Sequence, residues 1–179
     1  MIGELEIIGK NKKHGVTFVG TSSHVLGDIV KKIEKLDHTL RDGIFIDFGS
    51  GKGNMIIEAE KLGFKKSIGI EFVKKFYQIS LENIKKLFGS KHNILVINDD
   101  ASNFKLLIDT KLIFFYNPFD GEVMKKVIEN ICNIKYTNRV FIIYHNPVQR
   151  DLFLNNNRIK LLEQDIAKTG EISDIYEVL

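Results

Sequence analysis

The sequence predicts an α/β protein built on a doubly wound, mostly parallel sheet with helices on both faces, three layers in all. Two observations predict it. Five short apolar runs alternate with amphipathic stretches of helical spacing, the pattern of strands joined by right-handed crossovers. Each run also gives way to polar groups: Asp47 and the glycines after it, Glu71, Asp99-Asp100, Asn117-Pro118 and His145. Ligands of such sheets sit beyond the carboxyl ends of the strands, so these ends mark the expected site.

The elements follow in order. Residues 1–21 form a lead-in without clear periodicity, and residues 22–179 form the core of a single domain spanning 1–179. Ser22 or Ser23 caps a helix running to about Leu36, with Val25, Leu26, Ile29, Val30, Ile33 and Leu36 on one side. Asp42-Gly43 turns into a strand from Gly43 to Phe48 that reads as buried on both faces. Met55 to Leu62 is the next helix and Ser67 to Glu71 the second strand. Phe72 to Phe88 is a long amphipathic helix, followed by a third strand over Ile94 to Ile97. Leu112 to Tyr116 is the fourth strand, Glu122 to Ile131 a helix, and Val140 to Tyr144 the fifth strand. Ile159 to Glu163 and Ser173 to Val178 are weaker strand candidates either side of a turn at Gly170.

Composition narrows the class of protein. The chain has 179 residues, 44% of them apolar and 27% charged, the balance of a soluble globular domain with a full-sized core. The net charge of +3 comes from scattered pairs such as Lys65-Lys66, Lys74-Lys75 and Lys85-Lys86, which read as solvated faces rather than a nucleic-acid footprint. Cys132 is the single cysteine and sits in a helical pattern with Ile131 and Ile134, so a buried thiol is expected and no internal disulfide can form. No Cys/His cluster suggests a metal. The opening Met-Ile-Gly-Glu-Leu-Glu has no signal-peptide character, and no apolar run approaches membrane-spanning length, so the expectation is a cytoplasmic protein with no membrane association.

The stretch Asp47-Phe48-Gly49-Ser50-Gly51-Lys52-Gly53-Asn54 carries the chemistry. Glycines between a strand and a helix let main chain approach a ligand, and helix N-terminal N–H groups favour an anionic or polar group there. The spacing excludes two ligand classes. A dinucleotide fingerprint needs a third glycine where Asn54 stands, and a P-loop needs Ser or Thr where Gly53 follows Lys52. Glu71 comes 24 residues after Asp47, close to the interval at which an acid meets ribose hydroxyls in a βαβ unit. Phe72 follows and either lies against an adenine face or packs in the core. Asp100, with Asp99 as the other choice, can accept from an adenine amine; an N-cap or Asx turn is the plainer role for either. Pro118 is expected to confine Asn117 to extended geometry with its carbonyl free of a helix, so that an amide oxygen and main-chain carbonyls face the open end of the sheet as acceptors for a substrate amine. Phe119 is positioned to wall that pocket.

On these residues the chain from about 15 to 150 resembles a class I S-adenosylmethionine (SAM)-dependent methyltransferase, with the Rossmann-like fold of that class. Asp47-Phe48-Gly49-Ser50-Gly51-Lys52-Gly53 matches motif I, Glu71 the acid after it, Asp99-Asp100 motif II and Asn117-Pro118-Phe119 motif IV. It is especially similar to small bacterial methyltransferases of unassigned substrate carrying D-F-G-S-G-K-G and Y-N-P-F-D. It is similar too to small archaeal and mitochondrial-type protein lysine methyltransferases, whose aromatic-x-x-Thr segment is here Phe18-Val19-Gly20-Thr21. Two departures stand out: a single proline where nucleobase amino-methylases usually show N-P-P-Y/F, and Gly20 where the lysine enzymes often have proline.

The resemblance implies SAM as cofactor. Thr21 would meet its methionine end; Asp47, Gly49, Ser50, Gly51 and Gly53 its amino and carboxylate groups. Glu71 and Phe72 would hold the ribose and adenine, with Asp99, Asp100 and Ala101 at the adenine edge. Asn117 would also touch the cofactor, and Asn117, Pro118, Phe119 and Asp120 would serve catalysis; if the acceptor is an amine, Asp120, Glu58 and His145 are candidate bases or electrostatic partners, with no metal required. A chain this short, without an added recognition domain, favours a protein side chain or small molecule as acceptor over a large folded RNA. Two other classes stay open: a SAM-binding module without catalysis, and a nucleotide-binding oxidoreductase, which the glycine spacing disfavours.

Overall fold

A computed structural model describes residues 23–167 and 170–179. The expected lead-in, and Thr21 with it, lies outside the described residues. Seven strands form one sheet: β1 (Ile44–Phe48), β2 (Lys66–Ile70), β3 (Ile94–Ile97), β4 (Thr110–Tyr116), β5 (Val140–His145), β6 (Ile159–Ile166) and β7 (Ile172–Val178). Their order is β3-β2-β1-β4-β5-β7-β6. β1 to β5 are parallel, and β7 runs antiparallel to both neighbours, β5 and β6. The order reverses between β1 and β4, which makes the gap above those two strands the switch point where α/β sheets bind ligands.

Among the described residues five α-helices cover the sheet: α1 (Ser23–Glu34), α2 (Asn54–Lys61), α3 (Lys74–Phe88), α4 (Gly121–Cys132) and α5 (Arg150–Leu154). Alternate residues of each central strand face opposite layers. Phe45, Leu112, Phe114, Phe141 and Ile143 pack with Leu26, Ile29 and Ile33 of α1, Ile56 of α2 and Ile84 of α3. Ile46, Phe48, Ile113, Phe115 and Tyr144 pack with Val123, Val127 and Ile131 of α4 and Phe153 of α5. This is the three-layer arrangement that the apolar runs predict. On the α4 side the rings form a continuous layer: Phe48 stacks on Phe115 at 5.3 Å, and Phe153 lies 5.0 Å from Tyr144 and 5.1 Å from Tyr176. Cys132 is a buried free thiol at the end of α4.

Several boundaries differ from the expectation. α1 stops at Glu34, and Leu36, 51% exposed, sits in the turn beyond it. α3 starts at Lys74, not Phe72, because Val73 is extended and its N–H is taken by the Glu71 carboxylate. The two weak strand candidates are full strands of eight and seven residues, and β6 was hard to read because its residues are mostly half-buried or exposed. The short α5 was not anticipated.

At the opposite end of the sheet from the polar strand ends, a buried ion pair ties the exit of α1 to β4. Lys111 Nζ donates to Asp37 Oδ2 at 2.7 Å and to Thr39 Oγ1 at 2.8 Å, and both charged side chains are about nine-tenths buried. Burial alone would raise the Asp37 pKa, but the hydrogen bonds from Lys111 and Thr39 outweigh it and hold the carboxyl at about 2, below its ordinary 3.8. Its stabilising effect is therefore complete above pH 3.8 and is lost as the pH falls through about 2. Asp37→Asn should lower stability by roughly 2–3 kcal/mol at neutral pH. Urea midpoints of wild type and variant should then converge as the medium is acidified toward pH 2, and midpoints that stay parallel would show that the pair contributes nothing.

Candidate functional site

The site begins where β1 runs out. Gly49, Gly51 and Gly53 all take left-handed backbone angles, with φ of 79°, 54° and 88°, which residues with a Cβ seldom adopt. The loop is pinned to the end of β2 by the Gly49 and Ser50 N–H groups, which both donate to the Ile70 carbonyl at 2.9 and 3.0 Å. Glu71 completes the anchor. Its carboxylate accepts from the Gly51 N–H at 2.7 Å and from the Val73 N–H at 2.8 Å, joining the glycine loop to the entry of α3. Two residues that sequence reading passed over brace the same region: Asn98 Nδ2 donates to the Glu71 carbonyl at 2.7 Å, and Asn83 Nδ2 to the Lys52 carbonyl at 3.0 Å. Asn98 adjoins the acidic strand end already singled out, whereas Asn83, mid-helix, left no signal.

Asp47 and Glu71 are each only 3% exposed and are electrostatically coupled. Burial, and then the neighbouring Glu71, push the Asp47 carboxyl up to about 8. Burial raises Glu71 as well, but its backbone N–H donors favour the ionised form and partly offset the rise. Glu71 is the member of the pair better supported as an anion, and Asp47 carries the proton at neutral pH.

The residues present fit a SAM molecule. The loop is three glycines deep where a cofactor's main-chain contacts are expected, and a buried hydroxyl, Ser50 Oγ, has no hydrogen-bond partner among the described residues. Glu71 stands at the end of β2, next to the loop. Phe72 is half-buried in the connection to α3. Asp99 and Asp100 close the β3 end, where Asp100 Oδ1 accepts from the Ser102 N–H at 2.9 Å and Asp99 Oδ1 from the Asp100 N–H at 2.7 Å; Ala101 is buried behind them. The plainer capping role weighed for these acids is thus present. It leaves further lone pairs on each carboxylate.

The β4 end meets the loop directly. A Cβ on Gly49 would lie 2.5 Å from Pro118 Cβ, so the motif I loop and the Asn117-Pro118 turn touch as closely as chain allows. Asn117 is left-handed, with φ 39°, and not extended as the following proline predicts; asparagine is among the few residues with a side chain that tolerate this state. Its Oδ1 accepts from the Tyr144 hydroxyl at 3.4 Å, and that hydroxyl accepts from the Gln149 N–H at 3.0 Å. Burial pushes the Tyr144 phenol up to about 12, so it stays a neutral donor. Tyr144 was read from sequence only as strand interior, and Gln149 not at all. Phe119 is 6% exposed and packs in the α4-side core, which by itself accounts for an aromatic there. Asp120 caps α4, accepting from the Glu122 and Val123 N–H groups at 3.1 and 3.2 Å.

The other two candidate bases sit elsewhere. Glu58 is a full turn into α2 and pairs with Lys61 at 3.4 Å. His145 is fully buried at the end of β5, with Nδ1 2.7 Å from Ser173 Oγ and its ring edge-on to Tyr116 at 4.7 Å. Burial lowers its pKa, with Glu171 opposing, so it is a neutral imidazole at physiological pH. Among the described residues no group of three or more His, Cys, Asp or Glu is arranged to hold a metal ion, and no helix is long and apolar enough to cross a membrane.

Comparison with known proteins gives three results. A family described as Conserved hypothetical protein 95 matches residues 16–173. The chain is 34% identical over 85 residues to the ribosomal protein L11 methyltransferase of Hamiltonella defensa, covering 47% of this chain but only 27% of that protein, so it spans about a quarter of that relative's length. Among solved structures, the fold is shared with yhhF of Escherichia coli, a candidate methyltransferase, at TM-score 0.67 and 18% identity over 90% of this chain and 88% of that one. It is also shared with an RNA methyltransferase from Salinibacter ruber in complex with S-adenosyl-L-homocysteine, at TM-score 0.66 and 14% identity over 89% and 94% of the two chains.

Two expected outcomes follow from this geometry. Gly49→Ala would set a Cβ against Pro118 and strain a left-handed residue, at a cost of about 2 kcal/mol. The melting temperature and the calorimetric affinity for SAM should both drop, and an unchanged affinity would show that the loop does not face the cofactor. Asp47 is the second case. Because its folded pKa of about 8 lies above its ordinary 3.8, folding takes up a proton between those values and stability falls as the pH rises toward 8. Asp47→Asn removes that titration, so its melting temperature without cofactor should gain on wild type as the pH is raised from about 5 to about 8; curves that stay parallel would assign the proton elsewhere.

Proposed function

The chain belongs to the Conserved hypothetical protein 95 family, a family of class I SAM-dependent methyltransferases, and we propose from that premise that it methylates an exocyclic amino group of a nucleobase in RNA. The observation that carries the proposal is the contact between Pro118 and Gly49, which brings the Asn117-Pro118 turn against the glycine loop proposed to hold the cofactor. SAM, when bound, supplies an electrophilic methyl group on a sulfonium that is its own leaving group. The chain's residues then need to hold, orient and dehydrate. The Gly49–Gly53 loop and Glu71 hold the cofactor. Asn117 Oδ1, with one lone pair taken by Tyr144, has another for a hydrogen of the acceptor amine, and the strand-end carbonyls offer the second. Drawing both hydrogens aside aims the nitrogen lone pair at the methyl carbon; the C–S bond breaks to leave neutral S-adenosylhomocysteine, and the methylated nitrogen, now cationic and strongly acidic, gives its extra proton to water.

The chemistry around Asn117 favours a nucleobase over a lysine. A lysine amine arrives protonated and needs a base, whereas a nucleobase amine is already neutral. The groups gathered here are neutral or engaged: an amide, a phenol with a pKa of about 12, and an Asp120 carboxylate bonded to the N-terminus of α4. That an RNA methyltransferase shares the fold supports the same direction and weighs against the preference for a protein or small-molecule acceptor drawn from chain length. The L11 methyltransferase, matched over a quarter of its length, keeps a protein acceptor as the rival outcome.

The test is to incubate the protein with methyl-labelled SAM and an extract from cells lacking it, and then to separate RNA, protein and small molecules. Label in RNA is the expected result; label confined to protein or small molecules would overturn the acceptor. Asn117→Ala should lower turnover by roughly a hundredfold with the SAM dissociation constant within a few-fold of wild type. A variant that turns over at the wild-type rate would remove Asn117 from the acceptor site.

A further inference from the structure

The chain contains two prolines, and both follow an asparagine at the end of a sheet strand: Tyr116-Asn117-Pro118 after β4 and His145-Asn146-Pro147 after β5. β4 and β5 are parallel neighbours, and their register pairs Tyr116 with His145, so the two Asn-Pro turns stand side by side at the same level. Among the described residues, Asn117 and Asn146 are the two non-glycine residues with positive φ, at 39° and 50°. A left-handed asparagine followed by proline thus ends two adjacent strands at the open end of the sheet, although the chain beyond differs: Val148 N–H closes back on the Asn146 carbonyl, whereas Phe119 sits in a β-bridge.

The two copies differ in what their side chains do. Asn117 is held by Tyr144. Asn146 is exposed; its main-chain N–H donates to the Ile172 carbonyl and its carbonyl accepts from the Val148 N–H, both at 2.9 Å, but its side-chain amide has no hydrogen-bond partner among the described residues. An asparagine that only shaped the turn would gain from bonding its own backbone. Around it lie aliphatic side chains open to solvent: Val148 at 62% exposure, and Ile172 at 36% across the sheet edge, cross-strand from Ile166 at 63%.

We propose that Asn146, with Val148 and Ile172, forms a second nucleobase subsite that reads the nucleotide beside the one being methylated. The proposal rests on the RNA reading of the acceptor. Three arguments carry it. Neighbouring strands are about 4.8 Å apart, so the nucleotide adjoining a base held at Asn117 comes within reach of Asn146. An unpaired amide offers both donor and acceptor in one plane, which suits a base edge, and aliphatic surface suits a base face. A phosphate subsite would instead be lined by free cations; here Arg150 is engaged with Asp174 at 2.9 Å, and the nearby Glu171 is anionic.

Asn146→Gly is the decisive variant, because glycine accepts φ 50° without strain and removes only the side chain. Asn146→Asp keeps the shape and the turn tolerance but loses both amide donors. Steady-state methylation is measured on total RNA from cells lacking the protein, alongside SAM affinity and melting temperature. Both variants should raise KM for RNA about tenfold, with kcat, the SAM dissociation constant and the melting temperature of Asn146→Gly close to wild type. A wild-type KM in Asn146→Gly would overturn the subsite while leaving the RNA acceptor standing. A fall in SAM affinity at unchanged KM would also overturn it, since the residue would then act through the cofactor. If wild type labels no RNA, acceptor and subsite fall together.

Discussion

The carboxylate of Glu71 is the joint on which the cofactor side depends. A glycine loop with three left-handed residues has little stiffness of its own, and glycine has the most conformational freedom to lose on ordering. Glu71 supplies what the loop lacks by accepting the Gly51 N–H on one oxygen and the Val73 N–H on the other. One buried side chain thereby fixes the loop after β1, the start of α3 and the end of β2. The arrangement has an electrostatic consequence. An anion at 3% exposure beside Asp47 leaves no room for a second negative charge, and Asp47 takes up a proton instead. A bound cationic group would change that balance, which makes the pair responsive to what occupies the loop.

The strand ends of β4 and β5, where we propose the acceptor binds, belong to the other half of the sheet, which is joined to the glycine-loop half at two places. Below the surface, Phe48 of β1 stacks on Phe115 of β4 within the ring layer that continues through Tyr144 and Phe153. At the surface, Pro118 closes against Gly49. Tyr144 takes part in both: its ring belongs to the packed layer and its hydroxyl holds Asn117. The orientation of a side chain at the solvent edge is in this way set by the rigidity of a buried aromatic layer, not by the loop that carries it.

How much of this was legible in sequence follows from how each part is buried. β1, β4 and β5 are covered on both faces and so are written as continuous apolar runs, and the glycine loop announces itself by spacing. β6 lies at the sheet edge, where Lys160, Glu163 and Gln164 are exposed, and its alternation is lost. α5, five residues long, is too short for helical periodicity to register. Long-range contacts left the least trace. Nothing local in Tyr144 marks it as a partner of Asn117, 27 residues away. Nothing in Gly49 points to Pro118, because the reason for that glycine is a distance that only the closed sheet creates. Asn146-Pro147 was readable as a strand end, yet its likeness to Asn117-Pro118 acquires meaning only from the register that sets the two turns abreast.

The position of β7 bears on how such a molecule is made. It is the last strand in chain order, yet it is laid between β5 and β6, pairing with both. A ribosome delivers β6 before its neighbour exists. Until β7 emerges, the outer edge of β5 has no strand partner and β6 has no strand to pair with, though Lys32 of α1 can still bond Glu163 and Asp165. Ser173, which hydrogen-bonds His145, and Asp174, which anchors Arg150, arrive with that same strand. The β1–β3 half of the sheet, with the glycine loop and Glu71, can therefore take shape during synthesis, while the half proposed to receive the acceptor waits for β7. Cofactor-binding ability should precede methyl transfer in the life of each nascent chain.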